Sequence, residues 1–159
     1  MFNKSLITGA MLALAPLTAS AQANAQALVD ATDPAVLASL IQDLGYKAKL
    51  TTDSVGDPMI SSSAHGYDFD VFFYDCTDNA NCRAIQFSAS FDMTDGMSLT
   101  RAEDFNRDKR WVKVYLNDES DPRVEMDYNL YGGVSVANFN DTVDWWQVMM
   151  QQFIDYIDF

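Results

Sequence analysis

The chain has 159 residues, with 23 Asp and Glu against 10 Lys and Arg, a formal charge of −13 and an isoelectric point near 4.1. That balance repels phosphate backbones and anionic lipid heads, whose binding depends on clustered Lys and Arg, and so excludes nucleic acid as a partner class. An apolar fraction of 48%, with ten Phe, seven Tyr and three Trp, excludes a disordered chain.

The N-terminal run MFNKSLITGAMLALAPLTASAQANAQA places Lys4 ahead of an apolar stretch from Leu6 to about Leu17, then small residues in repeated A-x-A spacing. This is the pattern of a cleavable signal peptide. The apolar stretch is shorter than the roughly 20 residues that span a bilayer, so no stable membrane insertion is expected after cleavage. Ala19-Ser20-Ala21 is the preferred site, with Ala21-Gln22-Ala23 and Ala23-Asn24-Ala25 as rivals. Removing residues 1–21 leaves 138 residues, a usual size for one domain, and raises the charge imbalance to 9 basic against 23 acidic groups. Residues 22–32 are polar and Ala-rich and are expected to form a disordered leader before a domain over 33–159.

Asp33-Pro34 supplies an N-cap and a first-turn proline, and Val36, Leu37, Leu40, Ile41 and Leu44 recur at helical spacing until Gly45, which predicts a helix over 33–44. Tyr46–Asp53 and Pro58–Ala64 have β character on either side of the turn-forming Ser54-Val55-Gly56-Asp57. From Tyr67, apolar Phe69, Val71 and Phe73 alternate with Asp68 and Asp70. Ile85, Phe87, Ala89, Phe91 and Met93 alternate with Gln86, Ser88 and Ser90, so both runs read as half-buried strands of one hairpin. Ser98–Lys109 fits a short helix. Val112, Val114 and Leu116, then Val124, Met126, Tyr128 and Leu130, mark two further strands around an Asn117–Pro122 loop. Gly132-Gly133 ends the second of these, and Phe139, Val143, Trp146, Met150, Phe153 and Ile157 line one side of a final helix of about 19 residues.

The predicted order is α-β-β-β-β-α-β-β-α. One-sided alternation in every confident strand predicts an α+β fold: an antiparallel sheet with helices on one face and the other face wet or open to a partner.

The runs Asp104-Phe105-Asn106-Arg107, Trp111-Val112-Lys113-Val114-Tyr115-Leu116 and Tyr128-Asn129-Leu130-Tyr131-Gly132-Gly133-Val134-Ser135, followed by Trp145-Trp146 and Gln152-Phe153, resemble the YbjN-like family of bacterial sensory-transduction regulators. The resemblance spans roughly Asp33–Ile157 and is most specific in the second half. It implies a fold similar to type III secretion chaperones and a tendency to pair, and it carries no catalytic residues over to this chain. The signal sequence and the cysteine pair depart from cytoplasmic members of that family.

Cys76 and Cys82 are the only cysteines, spaced C-x5-C across a hairpin loop in a chain expected to be exported, which predicts a structural disulfide. A redox-active pair lacks the C-x-x-C spacing at a helix start, and a metal centre lacks a second pair of Cys or His. His65 is the only histidine, near Ser61, Ser62 and Ser63, but no orienting carboxylate or nucleophile elbow is visible beside it. The acidic groups Asp68 and Asp70, Asp75 and Asp78, and Asp118, Glu119 and Asp121 fit no calcium loop and read as solvated faces and tips. No catalytic residue, cofactor or metal is assigned.

The final helix carries apolar residues beyond one stripe, so it is buried on more than one side. Its candidate interface is Trp145, Trp146, Met149, Met150 and Phe153, with a homodimer or a protein partner on that surface, or helix one covering it instead. Adjacent tryptophans diverge by about 100°, so Trp145 and Trp146 cannot share one face. The sequence thus points to a bacterial periplasmic or secreted, non-enzymatic module that binds a protein or peptide partner. The alternative is a hydrolase or metal-dependent enzyme built on the acidic clusters.

Overall fold

A computed structural model describes residues 27–159. The expected signal peptide over 1–21 and the first part of the leader lie outside the described residues. The elements are β1 (Leu28–Val29), α1 (Pro34–Asp43), β2 (Lys47–Thr52), β3 (Pro58–Ala64), β4 (Tyr67–Tyr74), β5 (Ala84–Ser90), α2 (Leu99–Asp108), β6 (Lys113–Leu116), β7 (Pro122–Asn129), β8 (Val134–Ser135) and α3 (Val136–Ile157). Strands β2 to β5 form an antiparallel meander, β7 pairs with β5, and β6 closes the edge, giving the order β2-β3-β4-β5-β7-β6.

Helix starts follow side-chain caps that satisfy otherwise orphaned amides. Asp33 accepts from Val36 N at 3.2 Å, Ser98 from Arg101 N at 3.2 Å and Ser135 from Asn138 N at 3.1 Å. The last cap begins α3 earlier than apolar spacing alone predicts, so the helix runs 22 residues, or about 33 Å.

The leader differs from expectation in its last residues. Leu28 and Val29 pair antiparallel with Ser135 and Val134 as a two-stranded sheet, and Val136 N donates to the Ala27 carbonyl at 2.9 Å. Gly133 makes this approach feasible: it sits at φ +84°, and a Cβ there would lie 3.3 Å from Leu28 Cβ.

The core lies between the inner sheet face and α3. Phe87 stacks on Trp146 with ring centroids 5.5 Å apart, Phe69 meets the same indole at 5.6 Å, and Phe91 meets Phe153 at 5.4 Å. Helix α1 contributes buried Leu37 and Ile41, and α2 contributes Phe105, whose ring stands edge-on to Phe153 at 5.0 Å. The three helices therefore share one side of the sheet, as the alternation predicts.

The edge strand β6 is shielded by a side chain. Asn106 on α2 accepts from Val114 N at 2.7 Å and donates to Val114 O at 2.9 Å. Its amide thus replaces the peptide group of a neighbouring strand and blunts an edge that would otherwise template further pairing.

Candidate functional site

Among the described residues, the outer face of the six-stranded sheet is a broad surface with no helix over it. Cross-strand register lines up Lys49, Ser61, Asp70, Ser88, Glu125 and Lys113 as one row spanning every strand. The adjacent row carries Thr51, Met59, Phe72, Gln86 and Asp127. Because successive residues of a strand point to opposite faces, these rows are the polar halves of the alternation read from the sequence.

The face is wired rather than merely wet. Tyr74 Oη donates to Gln86 Oε1 at 3.3 Å, and Gln86 Nε2 donates to Asp127 Oδ1 at 2.6 Å. Lys113 Nζ stands 3.4 Å from Asp127 Oδ2 and 3.1 Å from Glu125 Oε2, and Tyr115 Oη donates to Glu125 Oε1 at 2.7 Å. Glu125 is 5% exposed and Gln86 8%, so a carboxylate and an amide are enclosed by their neighbours on the side of the sheet that no helix covers. Burying such groups is tolerable only with their hydrogen bonds made, which this network does.

Three groups here shift in proton affinity, all away from neutrality. The hydrogen bond to Glu125 raises the Lys113 ammonium above the ordinary lysine range, against a smaller opposing effect of burial. Burial raises the Tyr74 hydroxyl, aided by the charges of Glu125 and Asp127. Burial also raises Tyr115, with its hydrogen bond to Glu125 acting in the same direction. At neutral pH all three stay protonated, so Lys113 keeps its charge and the two hydroxyls remain neutral donors.

A shallow depression of about 470 Å3 opens on this face, with Met59, Phe72 and Val55 as apolar lining and Tyr74, Gln86 and Arg123 as polar lining. A second, of about 210 Å3, shares Phe72 and Arg123 and is bordered by Asp68, Asp70, Ser88 and Ser90. Arg123 is held in place by donating from Nε to Ser90 Oγ at 2.9 Å. Lys47, Lys49, Lys113 and Arg123 thus share a face with Asp68, Asp70, Glu125 and Asp127, a local balance of charge in a strongly acidic chain.

The residues expected at an interface on the last helix differ in exposure. Trp146, Met149, Met150 and Phe153 are buried, packed within this chain, and only Trp145 offers surface, at 43% exposed. Helices α1 and α2 flank α3 and bury these four side chains within the chain. Phe159 packs on the sheet side, with its ring edge-on to Phe91 at 5.3 Å. Trp145 instead pairs with Trp111, ring centroids 6.0 Å apart. Their 34-residue separation hides that partnership from any local pattern.

Cys76 and Cys82 are joined by a disulfide that closes the β4–β5 loop. His65 is exposed at φ +54°, and its Nε2 lies 3.2 Å from the Gln147 carbonyl. Ser61 donates instead to Asp70 at 2.8 Å and Ser62 to the Lys47 carbonyl at 2.5 Å, so neither serine is joined to the histidine. In the β6–β7 loop, Asn117 Oδ1 accepts from the amides of Glu119 and Asp121, while Asp121 Oδ1 accepts from Met93 N. Among the described residues, no three His, Cys, Asp or Glu side chains gather in a metal-holding group, and no helix is long and apolar enough to cross a membrane.

Neither the curated proteins nor the solved structures give a match to the chain, so the likeness to type III secretion chaperones rests on the sequence resemblance alone. A family model does match, over residues 33–159, which takes in every element from α1 to α3. The chain belongs to the YbjN family, whose description reads "Putative bacterial sensory transduction regulator".

Proposed function

We propose that this protein is an exported, non-enzymatic member of its family that acts by binding a protein or peptide partner on the outer face of its sheet. The observation that carries the reading is the wired face itself, with Glu125 and Gln86 enclosed beside the apolar Met59 and Phe72. Preorganised polar groups around an apolar patch lower the ordering cost of binding, and the local balance of charge removes the repulsion that the rest of this acidic surface presents. The Cys76–Cys82 disulfide suits an oxidising compartment, which supports the periplasm or the exterior as the place of action.

The test is a capture experiment from periplasmic extract with the mature protein and its Phe72→Asp variant. Phe72 is half-buried on the outer face, so the change should leave cooperative unfolding intact while charging the centre of the patch. A partner retained by the wild type and lost by Phe72→Asp is expected. A partner held equally by both folded proteins would move the binding surface elsewhere.

A further inference from the structure

On the helical side of the molecule, Trp111 and Trp145 form an exposed aromatic pair, 64% and 43% accessible, with Val148 exposed one turn along α3. Trp111 sits at φ +74°, a left-handed conformation that a bulky side chain adopts only under constraint. Large aromatics held at the surface in this way mark contact sites more often than they serve a core.

The patch continues into a groove. Gln152 lies seven residues after Trp145, two turns along the same helical face, and it lines a groove of about 490 Å3 between α2 and α3. Phe105 and Tyr156 line the groove too, and Asp104, Asp108 and Asp155 stand at its rim with a single cation, Lys109. From Trp145 to Tyr156 the strip extends about 16 Å, the reach of roughly five extended residues.

Charge identifies the occupant. Helix α3 has no Lys or Arg in its 22 residues and carries Asp141, Asp144 and Asp155. Asp141 lies one turn before Trp145 on the same face, and among the described residues neither it nor Asp144 has a cationic partner within ion-pair distance. Among the described residues Asp104 meets Arg107 in an exposed ion pair at 2.8 Å, which water and salt readily exchange, and Asp108 meets the half-buried Lys109 at 2.8 Å. We infer that the Trp111–Trp145 pair and the α2–α3 groove form a docking site for a short basic peptide, whose Lys or Arg side chains lie on the indole faces and against Asp141, Asp144 and Asp155 while an apolar side chain lies along the groove between the helices. The site lies on the opposite side of the sheet from the surface proposed above, so either can fail without the other.

The chain's tryptophans provide the readout, since Trp111 and Trp145 are exposed and Trp146 is fully buried. The mature protein is titrated with a six-residue peptide of alternating lysine and leucine while tryptophan emission is followed. Saturable binding is expected, weakened about tenfold by Trp145→Ala, through loss of ring contact, and by Asp141→Asn with Asp144→Asn, which remove charge without altering shape. Raised salt should weaken it further. The proposal is overturned if a glutamate-leucine peptide binds as well, or if the Asp141→Asn, Asp144→Asn protein, unfolding at the wild-type temperature, binds the lysine peptide unchanged. Saturable binding of a neutral oligosaccharide that depends on Trp145 and is indifferent to salt and to both Asp substitutions would overturn it in favour of a glycan site.

Discussion

Two adjacent rows of the sheet, one residue out of step, show how differently the same strands are used. The inner row reads Leu50, Ile60, Val71, Phe87 and Met126, and the outer row reads Lys49, Ser61, Asp70, Ser88, Glu125 and Lys113. The inner row is closed by α3 through contacts such as Phe87 on Trp146. The outer row has no helix above it, yet Glu125 is as enclosed as its neighbour Met126, each 5% exposed. Methionine is buried by the hydrophobic effect of packing against apolar neighbours. Glu125 is buried because Lys113 and Tyr115 reach over it from the edge strand and occupy both its oxygens. A face polar in sequence is therefore not the same as a face open to water, and the outer row is preorganised by its own side chains.

The largest way to break the comparison is from the inside. Phe87→Ala removes a fully buried ring beneath Trp146 and should lower stability by about 3–5 kcal/mol, read from denaturant unfolding. Ser88→Ala, one residue along the same strand but facing out, should change it by less than about 1 kcal/mol. Comparable losses from the two would mean that the outer face carries the fold as well as a surface.

The disulfide comes next, since it closes the loop of the β4–β5 hairpin on which both rows depend. Cys82→Ser should destabilise by about 2 kcal/mol, as the chain-entropy treatment gives for so short a loop, while cooperative unfolding persists. The register is held independently by the alternation, because a slip of one residue would turn Phe69, Val71 and Phe73 to the outside. Loss of the cooperative transition would show that the bridge, and not the pattern, sets which face is which.

Glu125→Ala addresses the outer face directly. It strips the acceptor from Tyr115 and one of two carboxylates from Lys113, and should lower stability by about 1–2 kcal/mol. In a double-mutant cycle with Tyr115→Phe the two effects should not add, because they remove one hydrogen bond from either end. Strict additivity would mean that Tyr115 and Glu125 lie side by side without depending on each other.

How much of this was legible in the sequence follows from range. Alternation over Tyr67–Tyr74 and Ala84–Ser90, the caps at Asp33 and Ser98, and the spacing of Cys76 and Cys82 act within a few residues, and the elements they predict are present. The pairings that build the candidate sites are set only by tertiary contact. Nothing near Asn106 announces that its amide shields the edge of β6, and nothing near Trp111 announces Trp145. The apolar breadth of α3 signals burial on several sides, and in this chain α1 and α2 pack beside it, with Phe105 against Phe153. Hydrophobic periodicity reports that a surface is covered and is silent on what covers it.

The smallest expected effect separates the two faces by pH, since of the two rows only the outer one has titrating neighbours to shift. Tyr74 and Tyr115 are raised above their reference of 10.0, and Lys113 above 10.5. A raised proton affinity in the folded state means that the folded chain holds protons the unfolded chain has already released. The associated stabilisation is complete below the unfolded values near 10 and is lost as pH climbs through the folded ones, so it is absent from any acid transition. All three side chains are substantially exposed, so solvent screening keeps the effect small. Phenolate absorbance followed from pH 9 upward should show Tyr74 and Tyr115 ionising later than an unperturbed tyrosine reference near 10. In Glu125→Ala both should move back towards that reference, because the substitution removes the carboxylate charge that raises each of them and the hydrogen bond to Tyr115. If their titration is the same with and without Glu125, the shifts owe nothing to that carboxylate, and Glu125 is packed beside the two tyrosines rather than coupled to them.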